Sequence, residues 1–205
     1  MSRSTLRRAI GAGALCLTAT TTAVIPAAAD AAHVGVSAKR LNIQTGSRVT
    51  VKGHLRTPGV VKLQILRRGR WVTLDRDRTN RAGRYVLRRR VAGALSARAR
   101  LRTGAGDTRV VGRLNVYRRA LASWYGPGLF GNRLGCGGTL QTGSVGVANK
   151  TLPCGTRVTL RHRGHVLRVR VIDRGPYVGG REYDLTAATA RKLGFYGHGP
   201  IQVTR

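Results

Sequence analysis

Acidic side chains are what this 205-residue chain has least of: seven Asp plus Glu stand against 38 Lys plus Arg, giving a formal net charge of +31. Glu182 is the sole glutamate, and after Asp107 the only acids are Asp173, Glu182 and Asp184. A surface so short of acids cannot neutralise itself, so it needs an anionic partner or a medium that tolerates its charge. Aromatics are also scarce, at 5%. With no aromatic-rich stacking motif of the kind single-strand binders use, nucleic acid is not the expected partner. Cysteine is limited to three residues, with no second pair and no well-spaced His cluster, which excludes a zinc site of the usual spacing. No metal and no cofactor are expected. Beyond the N-terminus no apolar run reaches the length of a membrane span, so no stable span is expected.

The N-terminus itself reads as a secretory signal over residues 1–31. Arg3, Arg7 and Arg8 make a basic start, Ala9 to Ile25 an apolar small-residue stretch, and Ala27 to Ala31 offers two A-x-A cleavage patterns. Threonines 18 and 20–22 and Pro26 interrupt the stretch too often for an anchor. Cys16 follows Leu15, where a lipobox requires a small residue, so it reads as a passenger. Export then leaves Cys136 and Cys154 as an even pair. A disulfide is the simplest reading, with free or metal-bound thiols as the alternative. The expected location is secreted, in the extracellular space or on the cell wall, and anionic wall polymers are candidate partners of the basic surface.

Residues 32–117 read as an immunoglobulin-like β-sandwich. Alternating runs at 48–55, 60–66, 71–74, 84–91, 97–102 and 109–116 are separated by turn signals such as Thr45-Gly46, Pro58-Gly59 and Arg68-Gly69. The pattern running from Val61-Lys-Leu-Gln through Gly69-Arg-Trp-Val-Thr-Leu to Asn80-Arg-Ala-Gly-Arg-Tyr resembles immunoglobulin-like accessory domains of secreted bacterial proteins. Trp71 is expected in its core. Residues 118–120 read as a junction. From 121 to 205 the chain is rich in glycine turns, with strands expected at 122–125, 145–148, 157–161, 165–172 and 200–204. A helix over 187–193 is expected, capped by Thr186 or Asp184 and ended by Gly194. Short strands with one helix suit a small closed barrel.

Four stretches carry a resemblance. Ala122-Ser-Trp-Tyr-Gly-Pro-Gly128, Thr151-Leu-Pro-Cys-Gly-Thr-Arg-Val158, Val171-Ile-Asp-Arg-Gly-Pro-Tyr177 and Asp184-Leu-Thr186 resemble, in order, the double-psi β-barrel domain of rare lipoprotein A (RlpA). The whole is therefore expected to be all-β: an N-terminal Ig-like sandwich, then a six-stranded double-psi β-barrel with one short helix. The resemblance implies a partner, peptidoglycan glycan strands, and an activity, lytic transglycosylation. In that reaction an acid protonates the glycosidic oxygen and the muramic 6-hydroxyl closes on C1 to give a 1,6-anhydro sugar. It also implies three polar site residues, of which this chain keeps one. Gly138 stands where a Glu is expected and Asn149 where a His is expected, while Asp173 remains.

Asp173 and Asp184 are thus the catalytic candidates: Asp173 is the first candidate for proton donor, by the direct family match, and Asp184 the second, by its likeness to the Phe-Asp-Leu acid of family 45 cellulases and expansins. Asp173 read structurally is a turn cap or a partner of Arg174, and Asp184 a helix N-cap. Asn149, Trp124, Tyr125 and Tyr177 are the substrate-binding candidates. Trp124 and Tyr125 read equally well as core, and Asn149 as a polar mouth residue. Glu182 reads as an exposed loop acid, and His162 and His165 as bystanders beside a hairpin turn. The alternative function is a non-catalytic, expansin-like module that binds or loosens the wall.

Overall fold

A computed structural model describes residues 41–205. The signal peptide expected at 1–31 and the start of the unit expected at 32–117 lie outside the described residues. The remainder is all-β with one helix.

In the N-terminal part, β1 (Asn42–Gln44), β3 (Val60–Arg67), β4 (Arg70–Arg78), β6 (Leu95–Thr103) and the first half of β7 (Thr108–Tyr125) form one sheet. β2 (Arg48–His54) and β5 (Arg84–Arg90) form a separate two-stranded sheet. The alternation in the sequence explains the faces. Val49, Val51, Tyr85 and Leu87 point inward from the small sheet and meet Val61, Leu63, Ile65, Ala97, Ala99 and Leu101 from the large one. Each buried Val, Leu or Ile among them stabilises the fold by roughly 1.5–3 kcal/mol. The arginines between them face solvent. β4 and β5 are bridged by carboxylates: Asp77 Oδ2 accepts from Val86 N at 2.7 Å and Asp75 Oδ2 from Arg88 N at 2.5 Å. Trp71, expected in the core, instead sits half-buried on the outer face. There the Arg100 guanidinium stacks 4.1 Å from its ring and donates to Gln64 Oε1. The core volume on the inner face is already filled by small and branched side chains, and the indole finds its partner in a cation.

The C-terminal part is a six-stranded ring. β8 (Val147–Ala148), β9 (Arg157–His162), β10 (His165–Asp173), β11 (Tyr183–Thr186) and β12 (Gly199–Val203) join the second half of β7, in the order β11-β8-β10-β9-β12-β7, and β11 pairs back onto β7 to close it. Helix α1 (Ala187–Leu193) follows β11 directly; Thr186 caps it and Gly194 ends it in the left-handed conformation. Leu160, Val169, Val171, Tyr183, Leu185, Leu193 and Ile201 fill the interior.

Residues 118–120, expected as a junction, lie inside β7. Its residues 115–117 pair with β1, and 118–122 pair with β12, so the ladder passes from one part to the other without a break.

Candidate functional site

Strand register explains why the scarce acids meet. β8 lies between β10 and β11, and Ala148 is the Cα partner of both Asp173 and Asp184. Asp184 in turn is opposite Ser123 of β7. Residues opposite one another share a face of a sheet, so Asp173, Ala148, Asp184 and Ser123 form one row. The neighbouring row, Val171, Val147 and Leu185, is interior core with no exposure. Asp184 therefore lies off the core face of β11, and a register shift in β10 between Val171 and Asp173 brings Asp173 level with Ala148; both carboxyl groups are half-buried. Tyr125, two residues beyond Ser123, shares its face of β7.

Hydrogen bonds fix both carboxyl groups. Asp173 Oδ1 accepts from Gly135 N at 2.7 Å and from Arg174 N at 2.8 Å. Asp184 Oδ1 accepts from the Ser123 hydroxyl at 2.9 Å. Burial raises the Asp184 pKa above the usual carboxylate range; the Ser123 bond and Arg181 pull the other way, and the charge of Asp173 adds to the rise. Burial likewise pushes the Tyr125 phenol far above its ordinary value, and the Asp173 carboxylate beside it pushes further. The Tyr125 hydroxyl feels that charge but makes no well-formed hydrogen bond, and is left buried without a partner among the described residues.

The loop over the acids is held from below. Arg174 Nη1 donates to Asn149 O at 2.9 Å and to Leu152 O at 2.7 Å. Gly135 lies so close over it that an added Cβ would meet Arg174 Cγ at 2.8 Å, which explains glycine there. Cys136, next in sequence, is disulfide-bonded to Cys154.

The other sequence candidates fall in different places. Asn149 is buried, its Oδ1 accepts from Thr151 N and Leu152 N, and its Nδ2 donates to Glu182 O. Its carbonyl is fully committed to the turn. Trp124 points to the opposite face from Tyr125 and lines a cavity of about 290 Å³ with Pro127, Phe130, Arg191 and Tyr196. Tyr177 is 81% exposed, just past the cis Gly175–Pro176 bond. Glu182 forms a two-point ion pair with Arg118, at 3.0 and 2.6 Å. Ser123 and Gly135 join the site without a local sequence signal: Ser123 is placed by the non-local parallel pairing of Ala122–Tyr125 with Tyr183–Thr186, and Gly135 by the fold of its loop. Gly138 has φ +79° and open space around it. Among the described residues no group of three or more His, Cys, Asp and Glu could hold a metal ion.

A family model described as lytic transglycolase matches residues 118–205. The probable endolytic peptidoglycan transglycosylase RlpA of Synechocystis sp. is 43% identical over 81 residues, covering 38% of this chain and 25% of that protein. Its namesake in Aquifex aeolicus is 39% identical over 87 residues, covering 42% and 38%. The chain thus spans between a quarter and two-fifths of the length of these relatives. Among solved structures, the Streptomyces papain inhibitor (SPI) is 20% identical with a TM-score of 0.33, covering 43% of this chain and 94% of that one.

Proposed function

We propose that this chain, whose residues 118–205 belong to the RlpA-like double-psi β-barrel family, is an exported cell-wall protein that acts on peptidoglycan glycan strands as a lytic transglycosylase. Asp184 is its proton donor. The observation that carries the reading is that Asp184, its pKa raised by burial, and Asp173 flank the same residue, Ala148 of β8. A general acid must hold its proton until it is needed, and burial of the Asp184 carboxyl moves its pKa in the direction that favours this.

The chemistry then runs with few parts. Asp184 gives its proton to the glycosidic oxygen as the C1–O bond breaks. The Asp173 carboxylate, held in place by the Gly135 and Arg174 amides, faces the positive sugar. The muramic 6-hydroxyl closes on C1, and its proton returns to Asp184. Tyr125 stands beside the acids, and the aromatic groove at Trp124, on the opposite face of β7, offers a separate ring surface to a more distant part of the glycan. Residues 32–117 are the Ig-like accessory unit, and the basic surface is the hold on anionic wall polymers.

Purified protein is incubated with peptidoglycan and the products are examined by mass spectrometry for anhydro-muropeptides. Asp184→Asn is expected to reduce their release by about 10²–10⁴-fold, the usual worth of a general acid. Release from the unaltered protein no greater than from the Asp173→Asn/Asp184→Asn double variant would sink the enzymatic reading.

A second reading is favoured by Gly138 and Asn149. The first brings no side chain to the site, and the second has its carbonyl committed to the turn. Under it the barrel binds glycan and loosens the wall without cleavage. Co-sedimentation with sacculi and no new reducing or anhydro ends would be its signature.

A further inference from the structure

Away from the acid row, the seam between the two parts gathers arginines that no described acid neutralises. Arg98 of β6 and Arg113 of β7 are direct cross-strand partners, as are Arg157 of β9 and Arg170 of β10. The Ser96 and Thr159 hydroxyls meet at 3.3 Å across the seam. Ser96 lies two residues from Arg98, and Thr159 lies two from Arg157 and opposite Arg168. Residues two apart in a strand share a face, so that contact brings both arginine pairs and Arg168 together.

Like charges directly opposite in a sheet are destabilising, and here they recur without relief. Arg98, Arg113, Arg157, Arg168 and Arg170 form no ion pair with any described side chain. The six described acids are engaged elsewhere: Asp75 and Asp77 on β5 amides, Asp107 on Thr103, Glu182 on Arg118, and Asp173 and Asp184 in the site above. The crowding is felt in the groups themselves. Arg113 has its pKa lowered by burial, then by Arg98 and Arg157; Arg168 has its pKa lowered by burial, then by Arg113, Arg157 and others. Arg157, Arg168 and Arg170 with Val145 and Val169 line a cavity of about 280 Å³.

We propose that this arginine seam is a binding site for a linear polyanion with a non-aromatic backbone, a wall-type polymer of repeating phosphodiester or carboxylate groups, which seats across both parts of the protein. Five guanidinium groups spread over four strands exceed what one small anion can neutralise, whereas a chain of spaced anions meets each in turn. The cavity lining contains no aromatic ring, so it lacks the stacking surface that single-stranded nucleic acid needs. The seam is independent of cleavage at Asp184.

The test measures binding of the purified protein to a synthetic glycerol-phosphate oligomer and to a polyuronate, with single-stranded DNA as a third probe, at several salt concentrations. Arg113→Gln/Arg168→Gln is compared with Arg67→Gln/Arg70→Gln, which removes the same charge from the exposed ends of β3 and β4. The seam variant is expected to bind the preferred non-aromatic polymer about tenfold more weakly at low salt, with a log–log salt slope shallower by about one to two. The control is expected to change less than about twofold. The same seam variant should melt at a higher temperature, because relief of repulsion and loss of ligand act in opposite directions. Asp184→Asn should bind as the parent does, so failed cleavage with intact binding counts against the proposed activity and not the seam. Preference for the phosphodiester or the carboxylate polymer identifies the anion. Equal losses in seam and control variants, no low-salt binding to either polymer, or tighter seam-dependent binding of DNA would each overturn the proposal.

Discussion

Single residues decide how much acid–base chemistry this barrel retains. Asp184 has a folded-state pKa above its unfolded one, for which burial is the largest cause. The folded chain therefore binds the extra proton, and stability falls as pH rises from about 3.9, the unfolded value, through the folded one. Asp184→Asn removes that fall. Its melting temperature should match that of the parent near pH 3 and exceed it increasingly towards pH 7; a gap that stays constant with pH would show that Asp184 is not a buried acid. The two positions where the family pattern breaks act differently. Gly138 sits at φ +79° with open space around it, so a glutamate there meets no clash but adopts a left-handed backbone at a cost of about 1–2 kcal/mol. Asn149→His forfeits the acceptor for Thr151 N and Leu152 N, at about 1–3 kcal/mol. The Gly138→Glu/Asn149→His variant is thus expected to lose about 2–5 kcal/mol in urea unfolding. The backbone at these two sites is shaped for the residues it carries.

At the scale of elements, the disulfide and the strand order do what no single residue can. Cys136 and Cys154 close a loop across a separation of 18 residues, worth about 3 kcal/mol in the chain-entropy model. Gly135, whose amide holds Asp173, directly precedes the first cysteine of that loop. Cys136→Ser/Cys154→Ser should lower the urea-derived stability by about that amount and reduce the proposed glycan cleavage together with it; full stability on reduction would deny the tether. Helix α1 was legible from its caps, and Thr186 proves to be the N-cap, with Oγ1 also 2.6 Å from Ser144 O. Most strands were legible from alternation and turn signals, down to the Arg163-Gly164 hairpin, where both residues take positive φ. β11 was not. Tyr183–Thr186 is too short to show a period, and its pairings with β7 and β8 are non-local, so its sequence suggested only a motif and a cap. The acid row depends on that strand, which is why Asp173 and Asp184 could be nominated from sequence but not set side by side. Trp71 misled for a related reason: an indole in an alternating run signals core, and only the pairing of β3 with β4 and β6 shows the cation that claims it.

For the molecule as a whole, the unbroken β7 makes two units into one cooperative body. Its 18 residues carry ladder partners from β6 and β1 on one side of residue 118 and from β12 and β11 on the other. A chain of polar groups crosses the same seam. Asn115 Nδ2 and the Tyr117 hydroxyl both donate to Asn42 Oδ1, Ser96 donates to Asn115 Oδ1, and the Ser96 and Thr159 hydroxyls lie within reach of each other. Asn115 is buried, so truncating it strands its partners away from water. Such a loss costs about 1–3 kcal/mol. Two units joined by a flexible linker would melt separately, and a change in one would leave the other's transition in place. Here a single calorimetric transition is expected, with Asn115→Ala lowering it as a whole. A barrel transition that stays unmoved while a second, N-terminal one shifts would mean that β7 couples the ladders in geometry but not in energy. The coupling matters for the arginine seam, since Arg98 and Arg113 keep their distance from Arg157 and Arg168 only while β7 stays one strand. Their mutual repulsion pushes the parts apart, and the strand, the polar chain and a bound polyanion hold them together. Added polyanion should therefore raise the one transition of the parent protein, and raise it less in Arg113→Gln/Arg168→Gln.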